Sequence, residues 1–421
     1  MCLEKIIHTY FSNLLIFSVH KLILWTEKTF CFMRKIISFI LSVLCVVCLL
    51  SCEEKVETSK YQIVYDDNIV DVKDIVSDIQ FIELDTISEA TMSFVNSITI
   101  VNDRIYCYDS SNGGGIFVYG INGDFLFKIK NIGKAKNEWV NLSSAFINTG
   151  ENRVVLTDEG AHKVLLYDLD GKYIETKIME PYYTNEVGFA NHLYYSVMYA
   201  YMSGGLISSE TDHKVRVYDE SINMLDEIIP TKMSDYPMAK DSPSTLKPGN
   251  CGLVLTPMND ETVYLIKGKS YAPYATYEYK GTHPFYTEED INDAVTHKKW
   301  LFGDDKWTYS NMYVESPDYI IRRVGINTGV DVIFDKNRNK TVATQFDFEF
   351  MGKYHFTDHF VYMFPKCYYN QRYYGVLSTE TFMAPIEYLE DYVPKELEDM
   401  MDRVRHNKCN QILVSYKINM K

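Results

Sequence analysis

The feature that most constrains this chain is a hairpin that recurs. Lys163-Val-Leu-Leu-Tyr-Asp-Leu-Asp-Gly-Lys-Tyr-Ile174 carries an apolar run, a turn at Asp170-Gly171, and a second run opening with Tyr173 and Ile174. Ile116-Phe-Val-Tyr-Gly-Ile-Asn-Gly-Asp-Phe-Leu126 repeats the arrangement, with Asn122-Gly123 at the turn. Gly123 and Gly171 are 48 positions apart, and so are Tyr119 and Tyr167. Asn-Gly and Asp-Gly between apolar runs mark a chain reversal, because glycine takes the left-handed backbone geometry that the turn needs. A hairpin returning at this interval fits one four-stranded sheet per repeat, and hence the blades of a β-propeller.

Further units follow the same order. The first runs from Val95 to Ile129, the second from Ser144 to Ile178, and the third from Val187 to Ile229. Lys214-Val-Arg-Val-Tyr-Asp219 in the third matches Lys163-Val-Leu-Leu-Tyr-Asp168 at a spacing of 51. A fourth unit spans Gly252 to Tyr279, a fifth Tyr309 to Gln345, and a sixth starts at Phe346. Two helical insertions interrupt them. One opens on the capping pair Thr287 and Asp290, and the other carries the stripe Leu397, Met400, Met401 and Val404 after Pro394. The stretch from Tyr61 to Asp85 reads as one or two strands leading into the first repeat. A ring must fasten its ends so that no edge is left open, and the strand near Phe81 with the C-terminal Gln411–Ile418 suits that purpose. The expectation is an all-β chain: a six-bladed β-propeller of four-stranded antiparallel blades with two short helical insertions, over residues 61–421.

Composition agrees with strands, since Tyr (34) and Phe (22) are abundant. The formal charge is -15, and after residue 51 the chain holds 37 basic against 55 acidic residues, a balance of -18. Phosphate backbones need clustered Lys and Arg, so the acidic surface argues against nucleic acid as a partner. Of nine cysteines, Cys2, Cys31, Cys45, Cys48 and Cys52 fall in the N-terminal region, where Cys45-x-x-Cys48 lacks a βαβ context for redox work. Cys107, Cys251, Cys367 and Cys409 are scattered through the body, compatible with two disulfides or with buried thiols.

The N-terminus reads as an address. Arg34 and Lys35 precede an apolar core from Ile36 to Leu50, and Ser51 supplies a small residue before Cys52. Leu49-Leu50-Ser51-Cys52 resembles the lipobox of a bacterial lipoprotein, with Cys52 as the lipid attachment. The apolar core is short for a transmembrane span of roughly twenty residues. The resulting organisation is a mis-called upstream extension over 1–32, a signal peptide over 33–51, a linker over 52–60 and the propeller thereafter. Glu53-Glu54 resembles the acidic tags of surface lipoproteins, so the expected location is the outer membrane, on its periplasmic face or at the cell surface.

Signal, hairpins and the terminal Leu-Val-x-Tyr-Lys strand together resemble the six-bladed β-propeller lipoproteins of Bacteroidetes with NHL-like repeats. Members often carry a Gly-Glu-aromatic motif after the first hairpin. Ile132-Gly-Lys-Ala-Lys-Asn-Glu-Trp139 occupies that place, keeping Gly133, Glu138 and an aromatic residue but lacking the proline. The resemblance covers about Ile79 to Ile418 and implies a fold, with no general reaction to carry over.

No nucleophile elbow, phosphate-binding loop or His-Glu-x-x-His occurs. His355-Phe-Thr-Asp-His359 has ligand spacing only on a helix, in a stretch that reads as strand and turn. Asp335-x-Asn337-x-Asn339 begins like a calcium loop, but Lys340 stands at the glycine position and Phe346 at the closing acid, so a hairpin turn is expected. No metal and no cofactor are expected. Tyrosine clusters offer platforms for stacking on sugar rings, with Tyr182, Tyr183, Tyr199, Tyr201, Tyr368 and Tyr369 the candidates. Tyrosine is equally a strand residue that fills space between sheets. The expected role is a non-enzymatic, lipid-anchored module that binds a glycan, a peptide or an envelope protein. A polysaccharide-active hydrolase or lyase and a structural subunit of an envelope complex are the alternatives.

Overall fold

The computed structural model describes residues 61–179, 184–198, 201–203, 206–208, 213–231, 245–249, 252–287, 289–290, 293, 306–325, 329–346, 364–378 and 411–420. Thr58–Lys421 forms one compact unit. Among the described residues no helix is long and apolar enough to cross a membrane.

Three strands precede the first repeat: β1 (Tyr61–Tyr65), β2 (Ile69–Val70) and β3 (Val76–Glu83). Blade 1 is β4 (Ser97–Val101), β5 (Arg104–Asp109), β6 (Gly115–Gly120) and β7 (Phe125–Ile129). Blade 2 is β8 (Ser144–Asn148), β9 (Arg153–Asp158), β10 (Lys163–Tyr167) and β11 (Tyr173–Ile178). Blade 3 takes β12 (Thr184–Ala190) and β13 (Leu193–Met198). A separate hairpin follows, β14 (Tyr201–Ser203) with β15 (Leu206–Ser208), and then β16 (His213–Tyr218) and β17 (Met224–Pro230) complete the blade. Blade 4 is β18 (Thr245–Gly249), β19 (Gly252–Thr256), β20 (Thr262–Lys267) and β21 (Ser270–Tyr279). Blade 5 is β22 (Tyr309–Glu315), β23 (Tyr319–Val324), β24 (Val330–Asp335) and β25 (Lys340–Thr344). Blade 6 is β26 (Cys367–Tyr369), β27 (Arg372–Ser378), β28 (Gln411–Ile418) and, from the start of the chain, β3. The chain is a six-bladed β-propeller of four-stranded, mostly antiparallel sheets.

Each blade places its first strand at one edge of its sheet. First strands pack beside one another round the axis, β8 beside β12, β12 beside β18, β22 beside β26 and β26 beside β4, and so make the inner ring. Closure is as expected: β28 pairs antiparallel with β3, setting Val414 opposite Phe81. The stretch before it does more than lead into the ring. β1 pairs in parallel with β21, and β2 in parallel with β25, so the chain straps the outer edges of blades 4 and 5 before it completes blade 6. Those two sheets are therefore five-stranded. Blade 4 also begins earlier than Gly252, because Thr245-Leu-Lys-Pro-Gly249 is its innermost strand. With one aliphatic residue and a proline, that segment lacks the alternation by which strands are recognised.

The recurring hairpin has a common geometry. Gly123 donates its N–H to Gly120 O at 2.9 Å, Gly171 to Asp168 O at 3.1 Å, and Ile222 to Asp219 O at 3.0 Å. The third residue of each loop is left-handed, with φ 95° at Gly123, 78° at Gly171 and 63° at Ile222. The turn is thus a three-residue loop with a bulge, one residue longer than a minimal Asp-Gly reversal. Ile222 holds a conformation that costs a β-branched residue roughly 1–2 kcal/mol.

The core lies between blades. Middle strands such as Lys163–Tyr167 and Val330–Asp335 are buried almost throughout, since both faces meet a neighbouring sheet. Between blades 1 and 2 a cluster gathers Tyr106, Ile116, Trp139, Leu156, Leu165 and Tyr167. Each fully buried aliphatic side chain there contributes about 1.5–3 kcal/mol. Tyrosines serve the same layers, and their hydroxyls find carbonyls: Tyr106 donates to Leu169 O at 2.6 Å, Tyr108 to Leu142 O at 2.9 Å and Tyr119 to Ala90 O at 2.8 Å. Thr287 and Asp290 form the expected reciprocal cap, with the Thr287 N–H on Asp290 at 2.8 Å and the Asp290 N–H on Thr287 Oγ1 at 3.2 Å.

Candidate functional site

The Gly133–Trp139 motif is a structural clasp. Gly133 N–H donates to Trp139 O at 2.8 Å and Trp139 N–H to Asn131 O at 3.0 Å, closing the loop on itself. Glu138 accepts the Ala135 N–H at 2.8 Å. Its carboxylate occupies the place where a Gly133 side chain would go. Trp139 is fully buried between blades 1 and 2, and its indole N–H donates to Gly113 O at 2.9 Å. Asp335 likewise acts as a turn residue, its Oδ1 accepting the Asn337 and Arg338 N–H groups at 2.9 Å each.

Among the tyrosine candidates, Tyr182, Tyr183 and Tyr199 lie outside the described residues, and Tyr201 opens the short strand β14. Tyr368 and Tyr369 both lie on β26. The Tyr368 ring packs against Tyr373 at 5.1 Å between centroids, half-buried. The Tyr369 hydroxyl donates to Asp103 Oδ1 at 2.9 Å and accepts the Asp103 N–H at 3.1 Å, which joins blade 6 to blade 1. Cys52 and residues 1–60 generally, His355, His359, the Pro394 stretch, Cys251 and Cys409 are outside the described residues. Cys107 and Cys367 are free thiols. Burial pushes the Cys107 thiol up, and pushes that of Cys367 up to about 12.

The inner ring holds a group of charges that no sequence motif announces. Glu186 on β12 accepts the Leu246 N–H at 2.9 Å, across the boundary between blades 3 and 4. Lys247, on the overlooked strand β18, donates to Tyr313 O of blade 5 at 2.5 Å. Lys366, just ahead of β26, donates to Asn96 O of blade 1 at 3.1 Å. Hemmed in by protein, Glu186, Lys247, Lys366 and Cys367 each keep partial exposure. Their electrostatics are coupled. Burial, with Lys366 beside it, draws the Lys247 ammonium down to about 8, and Glu186 pulls the other way. Burial raises the Glu186 carboxyl to about 7, against the Leu246 N–H and Lys247. Burial also lowers Lys366.

Other buried cations are housed differently. Lys214 meets Asp260 at 3.0 Å, Arg323 meets Asp331 at 3.2 Å and Lys336 meets Glu315 at 2.5 Å. Arg322, fully buried, donates to Ser310 O and Pro257 O and lies 5.1 Å from the rings of both Tyr277 and Tyr309. Lys214, Arg322 and Arg323 are buried, whereas Lys336, which also donates to Ser316 O at 2.7 Å, shares partial exposure with Lys247 and Lys366. Three charged groups from three blades thus reach the inner ring, each held by a hydrogen bond to a neighbouring blade.

The sequence model of a family described as Domain of unknown function (DUF4934) matches residues 60–417. The crystal structure of a Bacteroides fragilis protein described as exported superposes with a TM-score of 0.67 at 16% identity, covering 86% of this chain and 100% of that one. A member of the DUF4221 family from Bacteroides vulgatus superposes with a TM-score of 0.51 at 10% identity, covering 82% and 98%. No curated protein matches in sequence. At these identities the likeness is one of fold.

Proposed function

The chain belongs to the DUF4934 family, and from that premise we propose that it is an exported, lipid-anchored propeller that acts as a non-enzymatic binding module in the cell envelope. Residues 33–51 serve as its signal, Cys52 as the lipid attachment and 52–60 as the linker to the ring. A structural neighbour described as exported supports the address. Glycans are the favoured ligand class, with peptides and envelope proteins behind them.

One observation carries the reading. The inner ring carries Lys247, Lys366 and Glu186 on three blades, each still partly open to solvent. The tyrosine candidates flank these groups in sequence, with Tyr368 and Tyr369 following Lys366, and Tyr182 and Tyr183 preceding the strand of Glu186. Polar groups that fix a ligand beside aromatic planes that cover it are the common composition of a recognition site. Glu186 favours a second reading, because a carboxyl raised to about 7 suits a general acid in polysaccharide cleavage.

A glycan-array screen of the chain from Glu53 to Lys421, with product analysis on each hit, tests both. Saturable binding without turnover supports the module. Cleaved product replaces it with the enzyme. Silence on every glycan moves the ligand class to a protein partner, to be sought by pull-down from envelope fractions.

A further inference from the structure

We propose that a single chloride-sized anion is bound in the seam between blades 4 and 5, held by Arg322 Nη1 and by the hydroxyls of Tyr65 and Tyr277. The inference is separate from the glycan reading and stands or falls without it.

The three groups come from three elements that meet there. Tyr65 ends the strap strand β1, Tyr277 lies on β21 of blade 4, and Arg322 lies on β23 of blade 5. The Tyr65 ring lies 6.5 Å from the Tyr277 ring, edge to face. The Arg322 guanidinium carbon lies 5.1 Å from the centroid of the Tyr277 ring and 5.1 Å from that of Tyr309. Exposure is 4% for Tyr65, 2% for Tyr277 and 0% for Arg322, so all three side chains are more than nine-tenths buried.

Each carries a polar atom that the protein leaves unsatisfied. Tyr65 Oη, Tyr277 Oη and Arg322 Nη1 are shielded from solvent and make no hydrogen bond. Tyr65 Oη faces the Tyr309 hydroxyl, but without the geometry of a hydrogen bond. Tyr309 donates instead to Tyr277 O at 3.4 Å. Folded proteins rarely leave even one buried polar atom bare, and three in one aromatic cluster point to a small partner among them.

The charge says which partner. Arg322 donates from Nε to Ser310 O at 3.0 Å and from Nη2 to Pro257 O at 2.7 Å. The two rings attract the cation, but an aromatic face returns only part of the hydration that a buried ion loses. It also gives the Nη1 hydrogens no lone pair. Among the described residues no carboxylate bonds to Arg322. Asp260, whose charge reaches it, is engaged by Lys214 at 3.0 Å, by the Thr262 N–H at 2.9 Å and by the Tyr264 hydroxyl at 3.2 Å. Glu315, whose charge acts on Tyr277, is held by Lys336 at 2.5 Å. A water would accept from Nη1 and leave the cation unbalanced. An anion accepts from the guanidinium and from both hydroxyls, and it balances the charge. Enclosure by buried side chains favours the smallest common monoanion, chloride. Such an ion ties the strap to both blades.

The test pairs anomalous diffraction at the bromine edge with thermal melts. Crystals are grown from the chain Glu53 to Lys421 refolded in sodium bromide. Melts compare sodium chloride with sodium gluconate at fixed ionic strength. One bromide peak should lie within hydrogen-bonding distance of Arg322 Nη1 and of the two hydroxyls. The melting temperature should climb with the logarithm of chloride concentration and stay level when gluconate replaces it. Tyr277→Phe keeps the ring beside Arg322 and removes one donor. It should need about tenfold more chloride for the same rise, and Tyr65→Phe should behave alike. Water in place of bromide at Nη1, or a melting temperature indifferent to chloride, overturns the proposal. So does a wild-type chloride response in both phenylalanine variants. A response that begins only at molar halide reads as an adventitious ion only, and overturns it too.

Discussion

Val414 on the last strand lies opposite Phe81, near the start of the ring, so the two ends of the compact unit share one sheet. Val414 is fully buried. Val414→Asp places an unpaired carboxylate there and should cost about 4 kcal/mol or more. Hydrogen exchange should show Val76–Glu83 losing protection together with Gln411–Ile418. Loss confined to one of the two strands contradicts closure through a shared blade.

The N-terminal strap makes a separate prediction. Ile63 is wholly buried and Tyr65 nearly so, on a strand that covers the outer edge of blade 4. A chain starting at Asp71 lacks β1 and β2 but keeps the closing strand β3 intact. It should fold with a lower melting temperature, losing roughly 1.5–3 kcal/mol for each large apolar side chain removed. The bared edges of β21 and β25 should also promote self-association, visible by light scattering. A monomer with an unchanged melting temperature contradicts a stabilising strap.

Glu186 should make stability fall as pH rises. Its carboxyl titrates at about 7 in the folded protein, above the value of about 4.3 for an unfolded chain. Between those values the folded state holds a proton that the unfolded state has released. Stability therefore declines through this window and is lowest above it. The facing groups are the Leu246 N–H and the Lys247 ammonium, both on β18. Lys247 acts oppositely at higher pH. Its folded value of about 8 lies below the usual lysine range, so stability recovers from there upward. Glu186→Gln stays neutral throughout, so its urea midpoint should match wild type in acid and exceed it above neutrality. Coincident midpoints at every pH contradict this reading of the ring.

The two described thiols should be inert. Both are free, Cys107 is buried, and burial keeps the Cys367 thiol protonated up to about 12. The nucleophile is the thiolate, which is scarce for both at mildly alkaline pH. Peptides containing Cys107 and Cys367 should stay unlabelled by iodoacetamide in the native protein and become labelled in guanidinium. Rapid native labelling of either contradicts the packing between blades 6 and 1.

The architecture was legible where local chemistry repeats. Gly123 and Gly171 sit at the left-handed position of the same loop, and their spacing alone reveals two blades. In blade 3 the equivalent residue is Ile222, so tertiary structure overrides local preference and the repeat is fainter. Blade 4 lost its first strand to the reading because Lys247, Pro248 and Gly249 resemble a loop. The parallel pairings of β1 and β2 are long-range, and nothing near Tyr61 or Ile69 specifies the partner strand. The charged ring was hidden for a related reason. Glu186, Lys247 and Lys366 come from three blades, and no spacing links them until the sheets close.

The most direct measurement is a crystal structure of the chain from Glu53 to Lys421 with a glycan selected on the array bound. An intact glycan seated on the inner ring, in contact with Glu186, Lys247 or Lys366, is the predicted result. A glycan seated away from the inner ring, or a cleaved chain beside Glu186, would contradict it.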